Sequence, residues 1–276
     1  MQLLVMLAIA LGLLVVASLP GVVLAVAGVD IMSRPVMLWT QAFTQLLTFL
    51  VPVLLMTTIY YRGSQREYYG LDFSGRTWYY TLAGMVVMLL IMPVNDWLTT
   101  WNDSWNLGRV GEWMRALQDR TEGVLETIME TDTVGGLLAN LLVVAMVPAV
   151  CEEVFFRAGI QNLLHRWFKN GHAAVWVTAL VFSLGHGEIF SFVPRFVLGA
   201  LLGYLYLGSG SLLTNVLAHF VNNALVVVLY WLVARGVLDI DPEAPLAVGE
   251  TLTACCTLAA FAVFVVTFGK KLKTNP

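Results

Sequence analysis

Apolar runs of about 20 residues recur along the whole chain, and that recurrence leaves few folds open to it. Inside hydrocarbon every backbone N–H and C=O must be satisfied within the protein, so only helices or closed barrels can span. The runs here have the length of helices, about twice that of barrel strands. Eight can be marked, at about 3–28, 37–60, 77–94, 134–165, 172–187, 190–208, 212–234 and 248–269. The fifth is short, and the fourth is over-long with Pro148 inside it. Hydrophobic residues make up 59 % of the 276 and charged residues 12 %, against about 25 % charged in soluble domains. The chain therefore reads as an all-α polytopic membrane bundle of about eight transmembrane helices, forming a single domain over residues 1–276.

The loops suggest an orientation. Arg62, Arg66 and Arg76 follow the second run, Arg166 and Lys169 the fourth, and Lys270, Lys271 and Lys273 close the chain. All fall on one side if both termini are cytoplasmic, as in a multi-pass protein of the cell (inner) membrane. Arg34, Arg109, Arg115, Arg120 and Arg235 fall on the other side, so the bias is moderate. The first run lacks a basic leader and exceeds a signal-peptide core in length, which makes it a retained helix. Residues 95–133 form the one sizeable polar stretch, with Trp97, Trp101, Trp105 and Trp113 suited to the headgroup level, and read as an interfacial helical segment. A net charge of −3 gives no reason to expect a nucleic-acid partner. The three cysteines, Cys151, Cys255 and Cys256, lie in apolar runs without Cys-x-x-Cys spacing, so a disulfide framework is not expected.

Ionisable groups at membrane depth cost about 2.5–3.5 kcal/mol each on insertion scales and mark functional sites by default. From the fourth run onward the polar residues at that depth are Glu152, Glu153, Arg157, His186, Glu188, Arg195, His219, Asn222 and Asn223. Glu153 and Arg157 are four apart and can face each other as an ion pair. Glu152 lies about 100° off that face and lacks an obvious counter-ion. "FSLGH" sets Phe182 four residues before His186, which Gly185 and Gly187 flank at what reads as a break. In "HFVNN" the residues His219, Asn222 and Asn223 share one helical face.

Two carboxylates, two histidines and an asparagine suit hydrolysis without a covalent intermediate. A carboxylate can deprotonate water, a histidine can orient that water or protonate the leaving amine, and His and Asn can donate to an oxyanion. Glu152, His186 and His219 could equally hold zinc or another divalent metal, although no His-Glu-x-x-His helix is present. Cys151 points about 100° away from Glu152 and reads as packing. A structural role also stays open, in which both glutamates pair with Arg157 to join two helices.

These motifs stand as Glu152-Glu153-Val-Phe-Phe-Arg157, Phe182-Ser-Leu-Gly-His186 and His219-Phe-Val-Asn222-Asn223. In that order the chain resembles the CPBP family of intramembrane endopeptidases, which includes CAAX prenyl endopeptidases and bacteriocin-processing or self-immunity proteins. The resemblance covers about residues 134–230, which would be the catalytic core. It implies a peptidase acting on a membrane-associated or lipidated peptide or protein substrate in the bilayer. Glu152 would activate water, with Glu153 and Arg157 in support. His186 would share that water, His219 and Asn223 would line the oxyanion site, and Phe182 and Asn222 would be neighbours. No cofactor is required in this reading, with the metal route kept as an alternative. The rival within the same fold is a non-catalytic scaffold or immunity protein.

Overall fold

The computed structural model describes residues 1–71, 74–241 and 249–274. Residue 248, where the sequence starts its last run, and the side chains of Lys271 and Lys273 lie outside the described residues. Among the described residues nine helices carry the fold: α1 Gln2–Val26, α2 Arg34–Tyr60, α3 Gly75–Asp103, α4 Gly108–Met129, α5 Val134–Phe168, α6 Gly171–Gly185, α7 Phe192–Ser209, α8 Leu212–Ala234 and α9 Glu250–Thr274. Among the described residues there is no strand.

Seven of these helices are long and apolar enough to cross a membrane. The protein is an integral, multi-pass membrane protein. The eighth expected crossing, α6, has 15 residues and at ~1.5 Å per residue rises only about 22 Å. α3 also differs from expectation, running past residue 94 to Asp103. Hydropathy falls there, but the hydroxyls of Thr99 and Thr100 fold back onto the carbonyls of Asn95 and Asp96, and the helix continues into the polar layer. The polar stretch is therefore divided between the end of α3 and the amphipathic α4.

Proline shapes the two central helices. Pro52 and Pro148 have no N–H to give to the carbonyl four residues back. Before each of them the backbone takes a π turn, in which Val51 N–H bonds Leu46 O and Val147 N–H bonds Leu142 O. A third π segment covers Val154–Gln161. α2 and α5 run parallel and in register. Arg34 reaches the side chain of Asn140, and Gln45 reaches Glu152, at offsets of 106 and 107 residues.

α6 and α7 form an antiparallel pair with small residues at their seam. A Cβ at Gly199 would stand 3.0 Å from the Phe182 ring, so glycine is what lets these helices approach. α7 turns into α8 through Gly210, whose φ of 67° suits glycine. Tyr61 donates to Gln2, Arg166 donates to Tyr61, and Phe268 packs on Gly208. The start of α1 and the end of α9 thus lie at one end of the bundle, together with the segments carrying Arg62, Arg66, Arg76, Arg166, Lys169 and Lys270.

Candidate active site

α5 passes through the middle of the bundle, and residues 151–161 are buried without a break. Successive residues on a helix point about 100° apart, so Glu152 and Glu153 face different neighbours. Glu153 turns toward α8 and is fully buried. Its Oε2 accepts from Arg157 Nε at 2.8 Å and from Asn215 Nδ2 at 3.0 Å, and its Oε1 lies 3.0 Å from His219 Nδ1. A carboxylate only accepts, so the Nδ1 hydrogen belongs to His219. This fixes the ring and leaves Nε2 as its working nitrogen.

Glu152 turns toward α2. Its one hydrogen bond, 3.3 Å from Gln45 Nε2, comes from a neutral amide, and the residue keeps 7 % of its surface exposed. It stands within electrostatic range of His219. Arg157 pairs with Glu153 alone, so the alternative in which both glutamates share this arginine does not hold in the geometry. The arginine is fully buried, and its guanidinium also lies 5.6 Å from the centre of the Phe182 ring.

Phe182 joins the clusters. Its ring centre is 4.7 Å from that of His186 and 6.4 Å from that of His219, both edge-on. α6 ends at Gly185, and Gly187 turns the chain with φ 72°. That break, which the glycines foretell, leaves His186 half-buried with its Nδ1 on Phe182 O at 2.8 Å. No hydrogen bond or ion pair links His186 to Glu152. Asn222 Nδ2 donates to Asn223 Oδ1 at 3.2 Å, which leaves the amide hydrogens of Asn223 available. Glu188 and Arg195 form an ion pair with each other and so drop out of the candidate set.

The conditional metal set fares differently. Among the described residues no group of three or more His, Cys, Asp or Glu side chains could hold a metal ion. Glu152, His186 and His219 are therefore not gathered into a metal site as they stand. Cys151 is fully buried and fits packing.

Two residues of the site escaped the sequence reading. Asn215 bridges Glu153 and the carbonyl of Leu202, the latter at 2.6 Å. Its position one turn before His219 is the signal that could have found it. Gln45 lies on α2, where the search for polar residues at depth did not reach. His172, outside the motifs, bonds Tyr204 OH at 3.2 Å. A polar cavity of about 450 Å³ lies beyond the C-terminal half of α5, lined by Glu67, Asn162, His165, Arg166 and Tyr206 and by none of the motif residues.

Residues 134–225 match the model of a family described as Rce1-like, the type II CAAX prenyl endopeptidases. The matched stretch takes in α5, α6, α7 and the part of α8 that holds His219 and Asn223. It agrees with the resemblance carried by the three motifs. No curated protein and no solved structure matches the chain.

Proposed function

We propose that this Rce1-like segment is the catalytic core of an intramembrane peptidase that hydrolyses a peptide bond of a membrane-associated or lipidated substrate with water activated by Glu152. The observation that carries the reading is the unequal treatment of adjacent carboxylates. Glu153 has three hydrogen-bond partners and no exposure, whereas Glu152 has one neutral partner and a small opening. The first is engaged in structure and the second is left for chemistry.

In the reaction Glu152 takes a proton from water as the oxygen attacks the scissile carbonyl carbon. The oxyanion that forms accepts from Asn223 Nδ2 and from His219 Nε2, which donates when the ring is doubly protonated. The C–N bond then breaks as the nitrogen receives a proton from Glu152 or through His186, and the leaving amine departs. Every step uses groups of this chain. Desolvation around Glu152 and the fixed bonds of His219 supply preorganisation, because neither group must find its partner during the reaction.

The bilayer holds both enzyme and substrate, and both termini are assigned to the cytoplasmic side on the basic residues gathered at that end. The test is cleavage of a panel of prenylated and plain reporter peptides by detergent-purified protein and its Glu152→Gln variant, with and without a chelator. Activity lost in the variant and kept with chelator is the expected result. Chelator sensitivity reversed by zinc would move the chemistry to a metal, and cleavage by the variant would remove Glu152 from its role.

A further inference from the structure

His186 caps the end of α6, and the loop beyond it is held from within by the Glu188–Arg195 ion pair. Gly187 adopts φ 72°, and Ser191, the N-cap residue of α7, makes no side-chain cap bond. A further hold comes from the end of α3. Asn102 is fully buried, its Nδ2 donates to Ile189 O at 3.0 Å, and its Oδ1 accepts from Val193 N at 2.7 Å. Val193 N–H is one of the four amides that a helix start leaves without an internal partner. Asn102 thus caps α7 from another helix and grips the loop by a carbonyl at the same time. Only an amide side chain of this length offers one donor and one acceptor side by side in this way.

Neighbours close the rest. Ser183 Oγ donates to Phe192 O at 2.6 Å, Gln118 Nε2 on α4 reaches Ser191 Oγ at 3.3 Å, and Arg115 lies 3.6 Å from the centre of the Phe190 ring while paired with Asp103. Asn102 bonds both sides of the short helical turn between His186 and α7 from another helix, and the Glu188–Arg195 ion pair spans the same turn from within. His186 is held on α6 by Nδ1 on Phe182 O and by the edge of the Phe182 ring, and the loop that Asn102 grips begins three residues further on, at Ile189.

We propose that Asn102 is a positioning residue for His186, holding the loop after α6 so that the imidazole stays over the water that Glu152 activates. This rests on the peptidase reading above for its catalytic consequence. The geometric part stands apart from it and can be measured apart from it. The chain has four histidines, His165, His172, His186 and His219, which makes residue-resolved chemical modification practical.

The experiment measures carbethoxylation rates of each histidine by mass spectrometry in detergent-purified wild type, Asn102→Leu and Asn102→Asp, alongside kcat and KM on a cleaved reporter. The leucine removes both bonds, whereas the aspartate keeps an acceptor for Val193 N–H and loses the donor to Ile189 O. In the leucine variant His186 should react about tenfold faster while buried His219 and the distant His165 and His172 keep their rates. In the same variant kcat should fall about 10–100-fold with KM little changed, the pattern of a misplaced catalytic group. The aspartate should move both readouts the same way by a smaller factor, and it decides the matter if the leucine variant does not fold. Unchanged His186 reactivity in both variants, all four histidines rising together, or a loss confined to KM would overturn the proposal. If wild type cleaves no reporter, the peptidase reading fails, while the His186 rate still decides the clamp.

Discussion

α2 and α5 are built alike and used differently. Both are parallel membrane helices that take a π turn just before a Val-Pro pair, and they pack in register along their length. α2 gives the site one neutral amide, Gln45, and turns Leu54 and Ile59 outward. α5 carries two carboxylates and a guanidinium, and residues 151–161 are buried throughout. The proline and π device is therefore scaffold, and it neither makes nor marks chemistry by itself. What separates the two helices is that residues 151–161 of α5 are enclosed by the bundle, so that Glu153 and Arg157 pair with each other in place of water.

Four substitutions would break or sharpen that contrast. Glu152→Gln has the largest effect on activity, a loss of about 10²–10⁴-fold for removal of a general base, with thermal stability near wild type because its one hydrogen bond is to a neutral amide. Steady-state cleavage and a melt on the same preparation check both halves. Glu153→Gln leaves Arg157 buried without its charge partner and should cost about 3–5 kcal/mol of stability, read as a lower melting temperature or loss of folded protein. If instead Glu153→Gln were stable and Glu152→Gln unfolded, the division between the two carboxylates would be reversed.

Gln45→Leu, on the α2 side of the same contact, removes a single hydrogen bond worth about 1.5–3 kcal/mol to a charged acceptor. It should lower kcat by about tenfold and leave the fold intact, measurable in the same assay. Ile59→Ala should be the smallest of the four. Ile59 is 65 % exposed on an outward face, and melting and cleavage should both stay close to wild type, within about 0.5 kcal/mol.

How far the sequence carried the structure follows the same line. Long apolar runs are legible one residue at a time, and the motif residues stand out because charge is rare at depth. Glu153 and Arg157 pair as their spacing says, and the glycines around His186 do mark a break. Contacts between helices are less legible. Asn215 and Gln45 are neutral and look like ordinary polar residues until α8 and α2 bring them to Glu153 and Glu152. Asn102 was hidden for another reason: it sits in a stretch rich in tryptophan and charge that reads as interface, and nothing local shows that its amide reaches residues 87 and 91 positions away. The metal alternative could be weighed only once the placement of Glu152, His186 and His219 was seen.

The shortness of α6 reaches beyond the protein. Its outer face, with Trp176, Leu180 and Leu184 exposed, meets lipid directly. Yet its rise of about 22 Å from 15 residues falls some 8 Å below a hydrocarbon layer of about 30 Å. Such hydrophobic mismatch is relieved by thinning of the bilayer beside the short helix. The lipid boundary would then dip on the flank where His186 ends α6, and on the peptidase reading this would shorten the path for bulk water toward Glu152. Acyl-chain length would thereby act on the site from outside the chain.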